Sequence, residues 1–264
     1  MEKKNFLKVG EKVVFKPKTE GLDYDMESGK VYTIQIDHYT DEISFNTAPD
    51  ITLPEKLYTT AEDDKFVNKV ISRYTDTIEG TVGVMLSGLK GSGKTIMMKR
   101  LALESKLPIL LIDKGFSPRD LVSLFNKLAD TEICILMDEI DKLGDRYEDD
   151  YLLKVLDGIN SSGKKLMIFT CNDDEDINEY LKDRCSRIRY WRNYGEMSAS
   201  MIQVVLEDKL EDKAEVKPLT DFIQEKFGCI SFDNIASFAD EVNAYPNDTY
   251  EDLFNDMNLS NKWV

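Results

Sequence analysis

Gly88-Leu89-Lys90-Gly91-Ser92-Gly93-Lys94-Thr95, read as "GLKGSGKT", decides the fold. It follows the apolar run "TVGVMLSG" and opens "KTIMMKRLALES", a helical pattern. The spacing G-x-x-x-x-G-K-[ST] between a strand and a helix is that of a phosphate-binding loop. Glycines let the backbone bend until its N–H groups point at phosphate oxygens, and the helix N-terminus adds partial positive charge. Lys94 is expected to reach the β- and γ-phosphates and the Thr95 hydroxyl to hold Mg²⁺, with Gly88 to Thr95 and Ile96 forming the nucleotide cradle. ATP and Mg²⁺ are the cofactors this implies.

Outward from the loop, short apolar runs alternate with helical patterns. "LPILLID", "EICILMDE" and "KKLMIFTCN" read as strands, and "SPRDLVSLFNKLAD" and "YLLKVLDGIN" as helices, the first with Ser117 as N-cap and Pro118 at its first position. The strands are continuously apolar rather than alternating, as in a parallel sheet covered by helices on both faces. The fold class expected is therefore α/β, a doubly wound parallel sheet over residues 57–194. A helical region, 195–264, follows with "SASMIQVVLEDKLED", "LTDFIQEKFG" and "SFDNIASFADEVN". Before it, residues 1–56 carry alternating β-rich runs, "KVVFKP", "KVYTIQI" and "EISF", and read as a small all-β module. "TTAEDDKFVNKVISRYTDTIEG" joins the two as a helix with Phe66, Val67, Val70, Ile71 and Tyr74 at helical spacing.

Two further strand ends carry chemistry. "CILMDEID", Cys134 to Asp141, places an acidic pair after a buried strand. In a doubly wound sheet that end faces the ligand crevice. Asp138 is expected to bind Mg²⁺ and Glu139 to polarise an attacking water as general base. In "LMIFTCND", Asn172 ends the next strand and can orient that water and contact the γ-phosphate. "YLKDRCSRIRYW" clusters Arg184, Arg187 and Arg189. An arginine presented to a neighbouring subunit's γ-phosphate stabilises transition-state charge. Arg184 and Arg187 are the candidates, and Arg189, in an alternating run, reads as structural.

These elements, in this order over roughly residues 60–260, resemble the AAA+ ATPases. "GLKGSGKT" is similar to their Walker A, "CILMDEID" to Walker B, "IFTCN" to the sensor-1 strand and "LKDRCSRI" to the arginine-finger region, with Arg184-Cys185 also like the S-R-C box of clamp loaders. "LLKVLDGINSSGKKLMIFTCND" is similar to the group of the mitochondrial membrane AAA translocases and their relatives. The resemblance implies a homo-oligomeric ring, usually of six subunits, with ATP at the interfaces and the helical C-terminus as a lid. Hydrolysis would drive remodelling or assembly of a protein partner. Two departures bear on subgroup. The loop lacks the usual "GPPGTGKT", and Ser231, Phe232, Asp233 and Asn234 offer no sensor-2 arginine. Phe116 is the one candidate for an aromatic pore residue, and a buried Phe at a helix start would serve as well. A compact chain with a short N-terminal module suits a phage or other mobile element.

Composition separates the rival classes. Thirty-four Lys and Arg against fifty Asp and Glu give a formal net charge of -16. That field repels nucleic acid, whose affinity rests on basic side chains neutralising phosphates, and favours protein partners. A clamp or helicase loader is favoured by "DRCSRI" but disfavoured by the charge and the missing lid arginine. An assembly scaffold with slow turnover remains open, although an intact Glu139 argues against a dead ATPase. Asn172 argues against a small-molecule kinase. Four scattered cysteines without a C-x-x-C pair point to reduced thiols and a cytoplasmic location. His38, the single histidine, is far from every motif. No run reaches the ~20 apolar residues of a membrane span.

Overall fold

The computed structural model describes residues 6–9, 11–15, 25–37, 39–40, 42–112, 118–142, 163–172 and 188–260. The Arg184, Arg187, Phe116, Ser117 and His38 readings lie outside the described residues. Among the described residues, nine strands form one sheet in the order β1-β2-β4-β3-β6-β7-β8-β5-β9. They are β1 (Phe6–Val9), β2 (Lys12–Phe15), β3 (Val31–Asp37), β4 (Glu42–Thr47), β5 (Thr81–Gly88), β6 (Ile109–Leu111), β7 (Ile133–Met137), β8 (Lys165–Cys171) and β9 (Tyr190–Tyr194). The helices described are α1 (Ala61–Asp76), α2 (Lys94–Ser105), α3 (Pro118–Lys127), α4 (Ala199–Lys209), α5 (Val216–Lys226), α6 (Phe232–Ala244) and α7 (Tyr250–Asp256). None of them is long and apolar enough to cross a membrane.

The chain divides into two compact units. The first comprises Met1–Pro54, Ala61–Ser87 and Thr95–Arg192. Its centre is parallel: β6 pairs with β7, β7 with β8 and β8 with β5. Every residue of β7 and β8 is buried, as continuous apolar strands between helical layers require. The one charged member, Lys165, sits at the start of β8 and donates to the carbonyls of Ala129 (3.0 Å) and Gly163 (3.3 Å), which makes its burial tolerable.

The segment read as a small all-β module, residues 1–56, supplies β1 to β4, which extend this sheet. β1, β2, β4 and β3 pair antiparallel in that order. Then β3 pairs in parallel with β6, Val31 opposite Ile109 and Thr33 opposite Leu111. The apolar alternation of β4 turns Ile43 and Phe45 into the core shared with Tyr32, Phe125, Ile135 and Phe169. The four N-terminal strands thus belong to the same compact unit as the parallel centre. α1 buries Val67, Val70 and Tyr74, with Phe66 and Ile71 half-buried on its flanks. Burial of such side chains contributes about 1.5–3 kcal/mol each.

The second unit comprises Glu55–Thr60, Gly88–Lys94 and Asn193–Val264. Three of its helices start on side-chain caps. The Ser198, Ser231 and Thr249 hydroxyls accept from the N–H groups of Met201, Asn234 and Asp252, opening α4, α6 and α7. Its core gathers Ile202, Leu206, Leu219, Ile223, Phe227 and Phe238. Phe222, Phe227, Phe238 and Phe254 form an aromatic cluster with centroid separations of 5.2 to 6.4 Å.

Candidate active site

β5 is buried through Ser87, whose hydroxyl accepts a hydrogen bond from the Trp191 indole at 2.9 Å. One residue on, the chain enters the glycine loop. Gly88, Gly91 and Gly93 hold φ of 126°, 75° and 96°, the left-handed region that side chains rarely enter. Two of them also stand too close to neighbours for any other residue. A Cβ on Gly88 would lie 2.0 Å from the Tyr194 carbonyl oxygen, and one on Gly91 2.5 Å from the Ser231 Cβ. The Leu89 N–H donates to that same Tyr194 carbonyl at 3.2 Å. Tyr194 and Ser231 therefore shape the loop, and neither was marked as doing so by its own sequence context.

Lys94 opens α2 and is only 6% exposed. Its ammonium donates to the carbonyls of Gly88 and Leu89, both at 2.6 Å, so it is held inside the curl of the loop. The Ser92 hydroxyl is buried and has no hydrogen-bond partner among the described residues. An orphaned buried hydroxyl costs free energy unless something polar completes it. Together with a buried ammonium and three left-handed glycines, that donor set fits phosphate oxygens. Leu89, Lys90 and Gly91 are exposed, Ser92, Gly93 and Ile96 half-buried, and Thr95 exposed in the first turn of α2.

The acidic pair and its partners lie at the carboxyl ends of adjacent strands. Ser87 of β5 is opposite Cys171 of β8, and Met137 of β7 is opposite Phe169, so β5, β7 and β8 all end at the same edge of the sheet. Asp138 and Glu139 follow β7 directly. Thr170, 1% exposed in β8, ties them to its own strand. Its hydroxyl donates to the Asp138 carboxylate and accepts from the Glu139 N–H at 2.8 Å. Glu139 has φ of 53°, rare for a residue with a side chain, and this bond helps hold it there. Its Oε1 accepts from Asn172 Nδ2 at 3.1 Å and from Lys142 Nζ at 2.7 Å. Glu139 and Asn172 are thus brought together as the sequence implies. Thr170 and Lys142 are additions. Thr170 stands two residues before Asn172, on the same face of the strand, and a hydroxyl in that apolar run was the available signal.

Asp138 is exposed, and a carboxylate with the Thr95 hydroxyl offers hard oxygen ligands of the kind Mg²⁺ takes. No cluster of three or more His, Cys, Asp or Glu capable of holding a metal occurs among the described residues. That is compatible with Mg²⁺, which takes one or two protein ligands and completes its shell with water and phosphate. Cys134, inside β7, is wholly buried, and desolvation pushes its thiol up to about 12, so it is a packing residue and no nucleophile. Arg189 is exposed, and its backbone N–H donates to the Gly83 carbonyl at 2.8 Å.

Residues 84–193 match the AAA family, the ATPase family associated with various cellular activities. Among solved structures, the FIGL-1 AAA domain in complex with ADP aligns with a TM-score of 0.55 at 15% identity, over 75% of this chain and 75% of that one. No curated protein matches the chain. The match covers the second half of β5, the glycine loop, the acidic pair, Asn172 and most of β9. An AAA ATPase domain thus occupies residues 84–193, and by that domain the protein is an ATP-binding hydrolase.

Proposed function

We propose that the protein hydrolyses Mg-ATP within a homo-oligomeric ring, most simply a hexamer, and couples turnover to remodelling or assembly of a protein partner. The observation that carries the hydrolytic part is the Glu139 carboxylate, oriented by Asn172 while Thr170 ties its backbone to the neighbouring strand. A general base needs that kind of fixed direction, because proton transfer demands hydrogen-bond reach.

The roles follow from charge and reach. Lys94 and the loop from Gly88 to Thr95 bind the phosphates. Thr95 and Asp138 hold Mg²⁺, which when bound neutralises charge on the β- and γ-phosphates. Glu139 takes the proton of the attacking water and Asn172 orients that water. Arg184, with Arg187, reaches the γ-phosphate from the adjacent protomer. The partner is protein rather than nucleic acid, a reading supported by the net charge of -16.

The test is assembly and complementation. Glu139→Gln should grow from a small species to a closed ring on adding ATP and Mg²⁺, measured as mass in solution. Arg184→Ala should bind ATP yet hydrolyse poorly, and mixing it with Lys94→Ala should restore some turnover through mixed interfaces. A monomer under both conditions, or normal hydrolysis by Arg184→Ala, contradicts the ring.

A further inference from the structure

Ser87 is the last residue of β5 before the loop's first glycine, and the one hydroxyl in a stretch, Val82 to Ser87, that is buried throughout. It is 0% exposed. A hydroxyl taken wholly out of water costs free energy until it finds a partner, and an alanine would fill almost the same space without that cost. The Trp191 indole on β9 supplies a partner, its Nε1 donating to Ser87 Oγ at 2.9 Å. Trp191 packs against the core that contains Met85 and Phe169. Indole is a donor only, on a rigid ring, so a ring seated against a core delivers its N–H to one place.

The residue after Ser87 extends the effect of this bond beyond the strand. Gly88 stands at φ 126°. Glycine adopts such a value readily but does not enforce it, so the direction of the chain there has to come from what holds its neighbours. β9 holds both of them: Ser87 through the indole, and Leu89 through its N–H, which donates to the Tyr194 carbonyl at 3.2 Å. The carbonyls of Gly88 and Leu89 in turn accept from the Lys94 ammonium, both at 2.6 Å. A run of contacts thus leads from Trp191 through Ser87 to the lysine of the loop.

We infer that Trp191 is a positioning residue for the nucleotide. Its indole fixes Ser87, and Ser87 sets the take-off of the loop whose carbonyls aim Lys94. The inference rests on Lys94 and the glycine loop binding phosphate, as proposed above. Trp191 acts on affinity rather than on the chemical step, since Glu139 and Asn172 are placed by the ends of β7 and β8.

The experiment is titration with a fluorescent ATP analogue and steady-state ATP hydrolysis by the full chain, at one protein concentration. The proteins are wild type, Trp191→Phe, Ser87→Ala, the Trp191→Phe/Ser87→Ala double variant and Lys94→Ala. Trp191→Phe and Ser87→Ala should each raise Kd and KM about three- to tenfold, the range one neutral hydrogen bond can supply. Their kcat should stay within about twofold of wild type, the split expected when binding is lost and chemistry is kept. The double variant should be no worse than the weaker-binding single variant, because both remove the same bond. A purely structural bond would instead lower Tm and leave Kd level below the melt. Should Trp191→Phe fail to fold, Ser87→Ala, which removes only the acceptor oxygen, decides alone. Unchanged Kd in the single variants, with binding lost in Lys94→Ala, overturns the positioning role and leaves the phosphate loop standing. Losses that multiply in the double variant show that the two residues act separately, and the inference is wrong. Wild-type binding by Lys94→Ala would remove the phosphate-loop reading itself, and this inference with it.

Discussion

Thr170→Val removes one hydroxyl and almost no volume from a site that is 1% exposed. Two bonds go with it: the one donated to the Asp138 carboxylate, and the one accepted from the Glu139 N–H at 2.8 Å. An N–H left without its partner costs about 1–3 kcal/mol, and a bond to an ionised group about 1.5–3 kcal/mol. Asp138 is exposed and water replaces part of its loss, so the net destabilisation should be about 2 kcal/mol. For a chain of this size that lowers Tm by about 4–8 °C. The catalytic effect should be larger. Glu139 at φ 53° sits in backbone space that costs about 1–2 kcal/mol, and without the Thr170 anchor it relaxes. A base displaced by about 1 Å costs up to about 100-fold, so kcat should fall about 10- to 100-fold. Phosphate release gives kcat, titration with a fluorescent nucleotide gives Kd, and a thermal melt gives Tm. Kd should hold, because the substitution leaves the glycine loop intact, and Thr170→Ser should recover most of kcat. A Thr170→Val protein with wild-type kcat would refute the argument that this hydroxyl positions the base.

Gly88→Ala puts a methyl group 2.0 Å from the Tyr194 carbonyl oxygen at φ 126°, and a backbone neighbour cannot rotate away. Strain and overpacking together should cost about 2–5 kcal/mol, seen as a lower Tm and loss of nucleotide binding; an unchanged Kd would contradict the close approach. Cys134 should resist iodoacetamide at pH 8 in the folded protein, since burial pushes its pKa up to about 12 and leaves almost no thiolate. The thiolate should appear only as pH rises toward that value. Rapid native labelling of Cys134, read by peptide mass, would show that β7 opens.

The strand–loop–helix around the phosphate loop was legible because each part carries its own signal. "TVGVMLSG" and "KTIMMKRLALES" coincide with β5 (Thr81–Gly88) and α2 (Lys94–Ser105). Serine caps at Ser198 and Ser231 mark the starts of α4 and α6. What could not be read is pairing over distance. Alternation identifies β3 and β4 as strands with one face inward, but nothing in residues 31–33 says that their parallel partner is 109–111. The sequence therefore shows a small N-terminal β module but not the β3–β6 ladder that joins it to the parallel centre. β9 was hidden differently, since "YWRNY" is short and sets Arg192 and Asn193 side by side, which breaks any alternation.

In the site, Lys94, Asp138, Glu139 and Asn172 stand out because each breaks an apolar pattern at a strand end or helix start. Thr170 and Lys142 do not. Their importance comes from a hydroxyl that meets a backbone N–H on the next strand, and from a tight turn that brings a lysine back three residues. Tyr194 matters through its carbonyl, a group that every residue has.

The most direct test of the account is phosphate release from Mg-ATP by the wild-type protein and by Glu139→Gln, alongside nucleotide binding by both. The account predicts wild-type turnover, tight binding by both proteins and a loss of kcat of at least about 100-fold in the variant, the size of effect a positioned general base supplies. Equal turnover by the two proteins, with binding intact, would contradict it and remove Glu139 from the chemistry.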